Sequence, residues 1–267
     1  MTAVVAVRDG ALSFGERTLW SDLDLEVAPG EFLAILGSNG SGKTSLLRAI
    51  LGQVALDAGS IEVGGRAVHR GDRRIGTIPQ QRLLVPGTAL RGRDLVTLGI
   101  NGHRFGLPIT SRAERERVDA LLASVGATAY ATRPVGQLSG GEQQRLRIAQ
   151  ALADDPILLL CDEPLASLDL AHQQAVAELI DARRREHDTA VVFVTHDINP
   201  ILGMVDRILY LAEGRFTIGT PDEVLRSEVL SELYGAPVEV IRSRGRVFVA
   251  GAPEAVHHEA EQAEGAP

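Results

Sequence analysis

Cysteine is almost absent from this sequence of 267 residues, which contains only Cys161. A single cysteine excludes disulfide bonds within the chain and zinc sites built from several cysteines. Cys161 ends an apolar run, residues 157–161, and a free cysteine in such a run behaves as a small apolar side chain. We therefore predict that Cys161 is buried.

Long apolar runs are also missing. None approaches the roughly 18 to 20 residues that a helix needs to cross a bilayer. The longest, such as residues 157–161 and 191–194, have the length of strands. Residues 1–10 show no basic segment followed by an apolar core, so no secretory signal is visible and we expect a cytosolic protein.

Positive charge is in short supply, with 27 basic against 35 acidic residues and a net charge of −8. No broad basic surface is expected, which argues against nucleic-acid binding. Lys43 is the only lysine among the basic residues. Because arginine occupies the other basic positions, the segment that retains lysine becomes a candidate for function.

The rest of the sequence predicts an α/β fold. Short apolar runs typical of buried strands alternate with segments of helical periodicity, an order that favours a mostly parallel sheet. Residues 81–136 have helical periodicity and predict an inserted helical segment. The prediction is one domain over residues 1–250, followed by an Ala/Glu-rich tail, residues 251–267, that we expect to be disordered.

Several individual elements follow from periodicity and from turn and capping residues. The predicted strands are 4–14, 20–27, 32–36, 75–78, 157–161 and 191–195, an edge strand 207–211, and hairpins at 60–68 and 238–249. The predicted helices are 44–52, 88–98, 111–125, 140–154 and 170–187, a short helix 200–205, and one that starts at Thr220.

Residues 37–44, GSNGSGKT, fit the pattern G-x-x-x-x-G-K-S/T between a predicted strand and a predicted helix. Glycines let successive backbone N–H groups converge on phosphate oxygens, and the following helix presents its positive end to the same anion. Lys43 is expected to reach the β- and γ-phosphates of a nucleotide, and Thr44 to bind Mg²⁺.

Two carboxylates end the apolar run 157–161. Asp162, at the tip of a core strand, is suited to hold Mg²⁺. Glu163 should point the other way by strand alternation. There it could polarise a water molecule for attack on the γ-phosphate.

Residues 138–145, LSGGEQQR, contain a second anion-binding pattern. Ser139 and Glu142 have the spacing of a capping box, and Gly140 and Gly141 leave the start of the helix bare. One chain therefore carries two candidate phosphate-binding helix starts, although a nucleotide needs only one glycine-rich loop.

Over about residues 4–250 these segments resemble the ABC-type ATPases in order and spacing. Residues 37–44 resemble the Walker A motif, residues 157–162 the Walker B motif, Glu163 the catalytic glutamate and residues 138–145 the signature motif. Gln80 resembles the Q-loop glutamine, residues 166–169 the D-loop, His196 the H-loop histidine and Phe14 the aromatic residue that stacks on adenine, although Phe14 replaces the commoner tyrosine. Leu165 stands where the family often has threonine.

The resemblance implies a P-loop NTPase core with an N-terminal antiparallel β subdomain and an inserted helical subdomain. It implies ATP and Mg²⁺ as ligands, with Glu163, His196 and Gln80 as catalytic residues and Thr44, Gln80 and Asp162 at Mg²⁺. The residues implied to contact ATP are Phe14, Gly37, Ser38, Asn39, Gly40, Ser41, Gly42, Lys43, Thr44 and Ser45, together with Ser139, Gly140, Gly141 and Glu142 of a second copy.

Two anion sites per chain make sense if two copies face each other with ATP between them. The family also implies transmembrane permease subunits, contacted by residues 81–136 with Gln80 as a hinge, an indirect link to a substrate-binding protein, and a peripheral place on the inner face of the cell membrane. Residues 101–107 and 231–251 resemble the zinc/manganese/iron importer group. Iron-chelate or haem import, or a soluble ATPase of cluster assembly, are the alternatives, and we assign no metal-sensing role to His257 and His258.

Overall fold

The computed structural model describes residues 2–80, 88–102, 111–166 and 168–251. Its strands are β1 Val5–Phe14, β2 Arg17–Val27, β3 Phe32–Gly37, β4 Ala58–Val63, β5 Arg66–Ala67, β6 Ile75–Ile78, β7 Leu158–Asp162, β8 Ala190–Val194, β9 Arg207–Ala212, β10 Arg215–Gly219, β11 Glu239–Ser243 and β12 Arg246–Ala250. Its α-helices are α1 Lys43–Ile50, α2 Gly92–Asn101, α3 Arg112–Ser124, α4 Gly140–Ala151, α5 Leu170–His187, α6 Pro221–Val224 and α7 Ser227–Tyr234.

A six-stranded sheet in the order β10-β9-β3-β8-β7-β6 forms the centre of the fold. Five of its strands pair in parallel, and only β10 runs antiparallel, next to β9. Parallel neighbours require crossover connections, so the carboxyl ends of β3, β7 and β8 meet at one edge. This edge brings together three segments that the sequence analysis treated separately.

Strand β3 shows why the sheet is buried on both faces. Phe32, Ala34 and Leu36 pack in one apolar cluster with residues of α2 to α5 and α7. Leu33 and Ile35 point to the other cluster, with α1 and the strands of the N-terminal sheet. A continuous apolar run is therefore what this position requires, because alternate side chains enter two different cores.

A second, antiparallel sheet has the order β2-β1-β4-β5 and covers α1 and one face of the central sheet. The α/β fold with a mostly parallel sheet and an N-terminal antiparallel sheet is thus confirmed. Helices α2 and α3 lie in the part of the predicted helical insert that the structure describes, and β11 and β12 form the predicted C-terminal hairpin. Cys161 is fully buried, as predicted, and this burial raises the pKa of its thiol.

Two local predictions are wrong. Residues 200–205 form turns and not a helix, with the N–H groups of Ile201 and Met204 donating to carbonyls three residues earlier. Gly203 disfavours helix propagation there. The predicted edge strand 207–211 is β9, which lies inside the sheet because the chain turns at Glu213 and returns as β10 on its outer side.

Some predictions lie outside the described residues. These are the nature of the tail beyond Gly251, including His257 and His258, residues 81–87 and 103–110 of the helical insert, and Ser167 in the D-loop segment. Within the described ranges, no helix combines the length and the apolar character needed to cross a membrane.

Candidate functional site

The site begins at the glycine-rich loop between β3 and α1. Gly37, Gly40 and Gly42 have φ angles of 142°, 75° and 98°, which side chains rarely tolerate. A Cβ atom built on Gly37 would lie 2.0 Å from the carbonyl oxygen of Leu211. Glycine at these positions therefore allows the loop to curl, and the backbone N–H groups at the start of α1 can then face an anion.

Lys43, the first residue of α1, spans this loop. Its Nζ atom donates hydrogen bonds to the carbonyl oxygens of Gly37 at 2.7 Å and Ser38 at 2.8 Å. Burial lowers the pKa of the Lys43 ammonium, an effect that the nearby carboxylates of Glu163 and Asp162 partly offset. A cation with so little water around it interacts strongly with an incoming phosphate.

Asp162 and Thr44 form the part of the site suited to a metal ion. Asp162 is the last residue of β7, and its Oδ1 atom lies 3.5 Å from Oγ1 of Thr44. Burial raises the pKa of the Asp162 carboxyl, and the neighbouring Glu163 raises it further. A divalent cation would stabilise the two neighbouring carboxylates further, and the carboxylate and hydroxyl oxygens are ligands that Mg²⁺ prefers. The residues present therefore fit Mg²⁺.

Glu163 and His196 meet at the same edge of the sheet. The Oε2 atom of Glu163 lies 3.2 Å from Nδ1 of His196, just beyond the end of β8. Strand alternation does not determine the direction of Glu163, because β7 ends at Asp162 and Glu163 has a left-handed φ of 46°. The charges of both carboxylates raise the pKa of Lys43.

A cavity of about 490 Å³ opens over the loop. It brings Phe14 and Gln80, which are distant in sequence, to the residues around Lys43. Phe14 is 83% exposed, so its ring can stack on a planar ligand. The lining residues are Phe14, Arg17, Leu19, Asn39, Gly40, Gly42, Lys43, Thr44, Ser45, Gln80 and Glu163.

The second anion-binding pattern is present but lies apart from this cavity. Ser139 caps α4: its N–H donates to Oε2 of Glu142 at 2.8 Å, and its Oγ accepts from the Glu142 N–H at 3.3 Å. This is the predicted capping box. Among the described residues, none from 139–142 lines the cavity around Lys43. Within one chain, the two helix starts are therefore not brought together.

Two cavity residues were missed by sequence reasoning. Arg17 and Leu19 begin β2 and turn towards the loop, and the Nη1 atom of Arg17 lies 3.6 Å from a Cβ atom built on Gly40. Arg17 belongs to no recognisable sequence motif, because it is a single arginine in a hairpin. The available signal was its position three residues after the aromatic Phe14.

Replacing Arg17 with Ala should weaken ATP binding about threefold to fivefold, because an exposed guanidinium near a phosphate chain contributes roughly 1 kcal/mol or less. The affinity can be measured by titration calorimetry at two salt concentrations, and the variant should show a smaller salt dependence. Arg66→Ala, which removes an exposed arginine of β5 outside the cavity, is the matched control. Equal affinities of the two variants would exclude a contact between Arg17 and ATP.

Comparison with known proteins places these features in a wider group. The protein-family model described as ABC transporter matches residues 20–166 of this chain. A structure described as that of a metal-chelate type ABC transporter in an inward-facing conformation is 29% identical, covers 93% of this chain and 96% of that chain, and has a TM-score of 0.78.

Two more distant structures share the fold. CbiO1 from Clostridium perfringens, part of the ABC transporter complex CbiONQ, is 24% identical over 87% of this chain and 94% of that chain, with a TM-score of 0.72. The ADP conformation of an ATP-binding cassette of an ABC transporter is 19% identical over 87% of this chain and 95% of that chain, also with a TM-score of 0.72.

Proposed function

The chain belongs to the ABC transporter family, and on this premise we propose that it is the ATP-hydrolysing subunit of an importer that acts on separate permease subunits. The observation that carries the proposal is the convergence of three groups at one edge of the sheet. Lys43 spans the loop, Asp162 faces Thr44, and Glu163 pairs with His196. A cation, a metal-binding pair and a candidate base are what phosphoryl transfer to water requires.

The roles of these side chains follow from their positions. Lys43 exchanges its bonds to the loop carbonyls for the β- and γ-phosphates of ATP, and Thr44, Asp162 and Gln80 hold Mg²⁺. When bound, Mg²⁺ neutralises the charge that develops on the phosphate oxygens. Glu163 accepts the proton of the attacking water, and His196 holds Glu163 in place and reaches the γ-phosphate. Phe14 stacks on the adenine ring.

We also propose that each ATP lies between two copies of the chain. The start of α4 carries the capping box of Ser139 and Glu142, and it lies outside the cavity around Lys43. A second copy could place Ser139, Gly140 and Gly141 against the γ-phosphate, so that each site uses both helix starts. ATP would then close the dimer and hydrolysis would release it.

We propose that the permease contacts residues 81–136, as expected from the resemblance, together with the adjoining surface around strand β6. β6 is an edge strand that leads to Gln80, and it lies between two cavities. One, of about 620 Å³, adjoins the end of α1. The other, of about 350 Å³, adjoins α2 and α4. Any movement of Gln80 on nucleotide binding would therefore change the contact with a partner bound to this surface.

Thr77 lies exposed in the middle of β6 and lines both cavities. Thr77→Arg should therefore reduce the fraction of the chain that sediments with membranes of the native host about tenfold or more, since a long charged side chain would block a close-fitting interface. The ATPase activity of the isolated subunit should stay within about twofold. Ser60→Arg, on exposed β4 of the other sheet, is the control and should bind membranes normally. Normal sedimentation of Thr77→Arg would exclude this surface.

For the transported substrate we propose a metal ion of the zinc/manganese type. The proposal rests on the resemblance of residues 101–107 and 231–251 to the zinc/manganese/iron importer group. Residues 103–107 lie outside the described residues. An iron chelate or haem is the alternative, and it is favoured by the metal-chelate description of the 29% identical structure. Uptake of radioactive zinc, manganese and ferric chelate by cells with and without Lys43→Ala would decide between them. The proposed location is the inner face of the cell membrane, held there by the permease.

A further inference from the structure

His172 links the start of α5 to the start of α4, and neither the sequence motifs nor the proposed chemistry accounts for it. His172 lies in the first turn of α5, whose N-cap is Asp169. The side chain of Asp169 accepts the backbone N–H of His172 at 3.0 Å, and its second oxygen lies 2.7 Å from Nδ1 of the ring. The imidazole is therefore oriented by the same carboxylate that caps the helix.

The other side of this ring lies against the start of α4. A Cβ atom built on Gly141 would lie 2.4 Å from Cδ2 of His172 and 3.2 Å from Nε2. Gly141 is buried, and a side chain at this position would displace the ring. The ring of His172 thus packs against Gly141 from another helix, next to the capping box at Ser139.

This contact concerns the part of the chain that would meet a second copy. Gly141 is the second residue of α4, so its backbone N–H has no partner within the helix. At the start of α5, Leu170 is 70% exposed, which leaves an apolar side chain beside His172 without cover from its own chain. The imidazole lies between the two helix starts, with Gly141 on one side and Asp169 on the other.

We propose that His172 is a positioning residue: it fixes Gly141 so that the N–H groups at the start of α4 meet the nucleotide bound by a second copy. This inference rests on the proposed sharing of ATP between two copies. His172 does not touch ATP; it acts on the site of the other chain through Gly141 and on its own chain only through Asp169.

Three substitutions separate the two contacts. His172→Ala removes both, His172→Phe keeps a ring against Gly141, and His172→Asn keeps a donor for Asp169. We expect His172→Ala and His172→Asn to lower ATP turnover about tenfold to a hundredfold, as misplaced catalytic groups do, and His172→Phe to stay within about threefold of the wild type. The affinity of each variant for ATP in the monomer should not change, because Lys43 and its cavity are untouched. This affinity also reports that each variant is folded.

Mixing two defective chains tests whether His172 acts across the dimer. In a dimer of Lys43→Ala with His172→Ala, one site has an intact Lys43 from one chain and an intact α4 start from the other. The mixture should therefore hydrolyse ATP faster than either variant alone. Lys43→Ala mixed with Ser139→Arg is the positive control, since Ser139 belongs to the same helix start.

The outcomes distinguish the inference from the proposed function. If ATP hydrolysis recovers when Lys43→Ala is mixed with Ser139→Arg but not when it is mixed with His172→Ala, then His172 acts within its own chain and the inference is overturned. Recovery with neither would overturn the shared site itself. Wild-type turnover of His172→Ala would also overturn the inference, whereas recovery with both variants supports it.

Discussion

Glu163→Gln should slow ATP hydrolysis about a hundredfold to ten-thousandfold, the range expected for loss of a general base. Glutamine has the same shape and can keep the contact with His196, but it cannot accept a proton from water. The substitution also removes one of the two carboxylate charges next to Lys43, where the phosphate chain would bind. ATP should therefore bind at least as tightly as before.

Because ATP closes the proposed dimer and hydrolysis opens it, Glu163→Gln should also accumulate as a dimer when ATP and Mg²⁺ are added. Release of phosphate and sedimentation velocity measure the two effects on one sample. Glu213→Gln is a matched control, since Glu213 has a similar left-handed φ of 48° but lies exposed in the turn between β9 and β10. Turnover of Glu163→Gln at the rate of Glu213→Gln would remove Glu163 from the chemistry.

Lys43→Ala should weaken ATP binding about tenfold to a hundredfold or more, because a hydrogen bond to a charged group contributes roughly 1.5 to 3 kcal/mol and the ammonium makes at least one to the phosphates. The carbonyl groups of Gly37 and Ser38 also lose their donor, so the loop is less well held before nucleotide arrives. Lys43→Arg should be weak as well, since a planar guanidinium does not replace a compact ammonium inside a curled loop.

Trp20 offers a direct measurement of this binding. It is the only tryptophan, it is fully buried, and a Cβ atom built on Gly42 would lie 3.0 Å from its Nε1. Its fluorescence should respond when the loop closes on a phosphate, and a titration then gives the dissociation constant. If Lys43→Ala bound ATP with the affinity of the wild type, the assignment of this loop would be wrong.

The parts of the site that depend on local sequence were predictable. The turns at Gly37, Gly40 and Gly42 require a residue without a side chain, and the reciprocal bonds of Ser139 and Glu142 depend on a spacing of three residues. Such features are set within one turn of helix or one loop, so the sequence pattern is sufficient to identify them.

The parts of the fold and of the site that depend on contacts between distant segments were not predictable. β9 was predicted as an edge strand because residues 215–219 were not predicted to form a strand, whereas β10 pairs on its outer side. Arg17 lies beside Gly40 and His172 lies against Gly141, 23 and 31 residues away in the chain. Packing between elements decides these positions, and a single sequence does not encode it as a pattern.

The central claim, that two copies share each ATP, can be tested by cross-linking between chains. Cys161 is buried, so a cysteine introduced at exposed Glu16, beside the cavity, in one chain and at exposed Gln137, beside Ser139, in another can be joined by a bifunctional thiol reagent. In the Glu163→Gln background, the account predicts a product that links the two different chains with ATP and Mg²⁺ but not with ADP. No product with ATP, or the same yield with ADP, would contradict it.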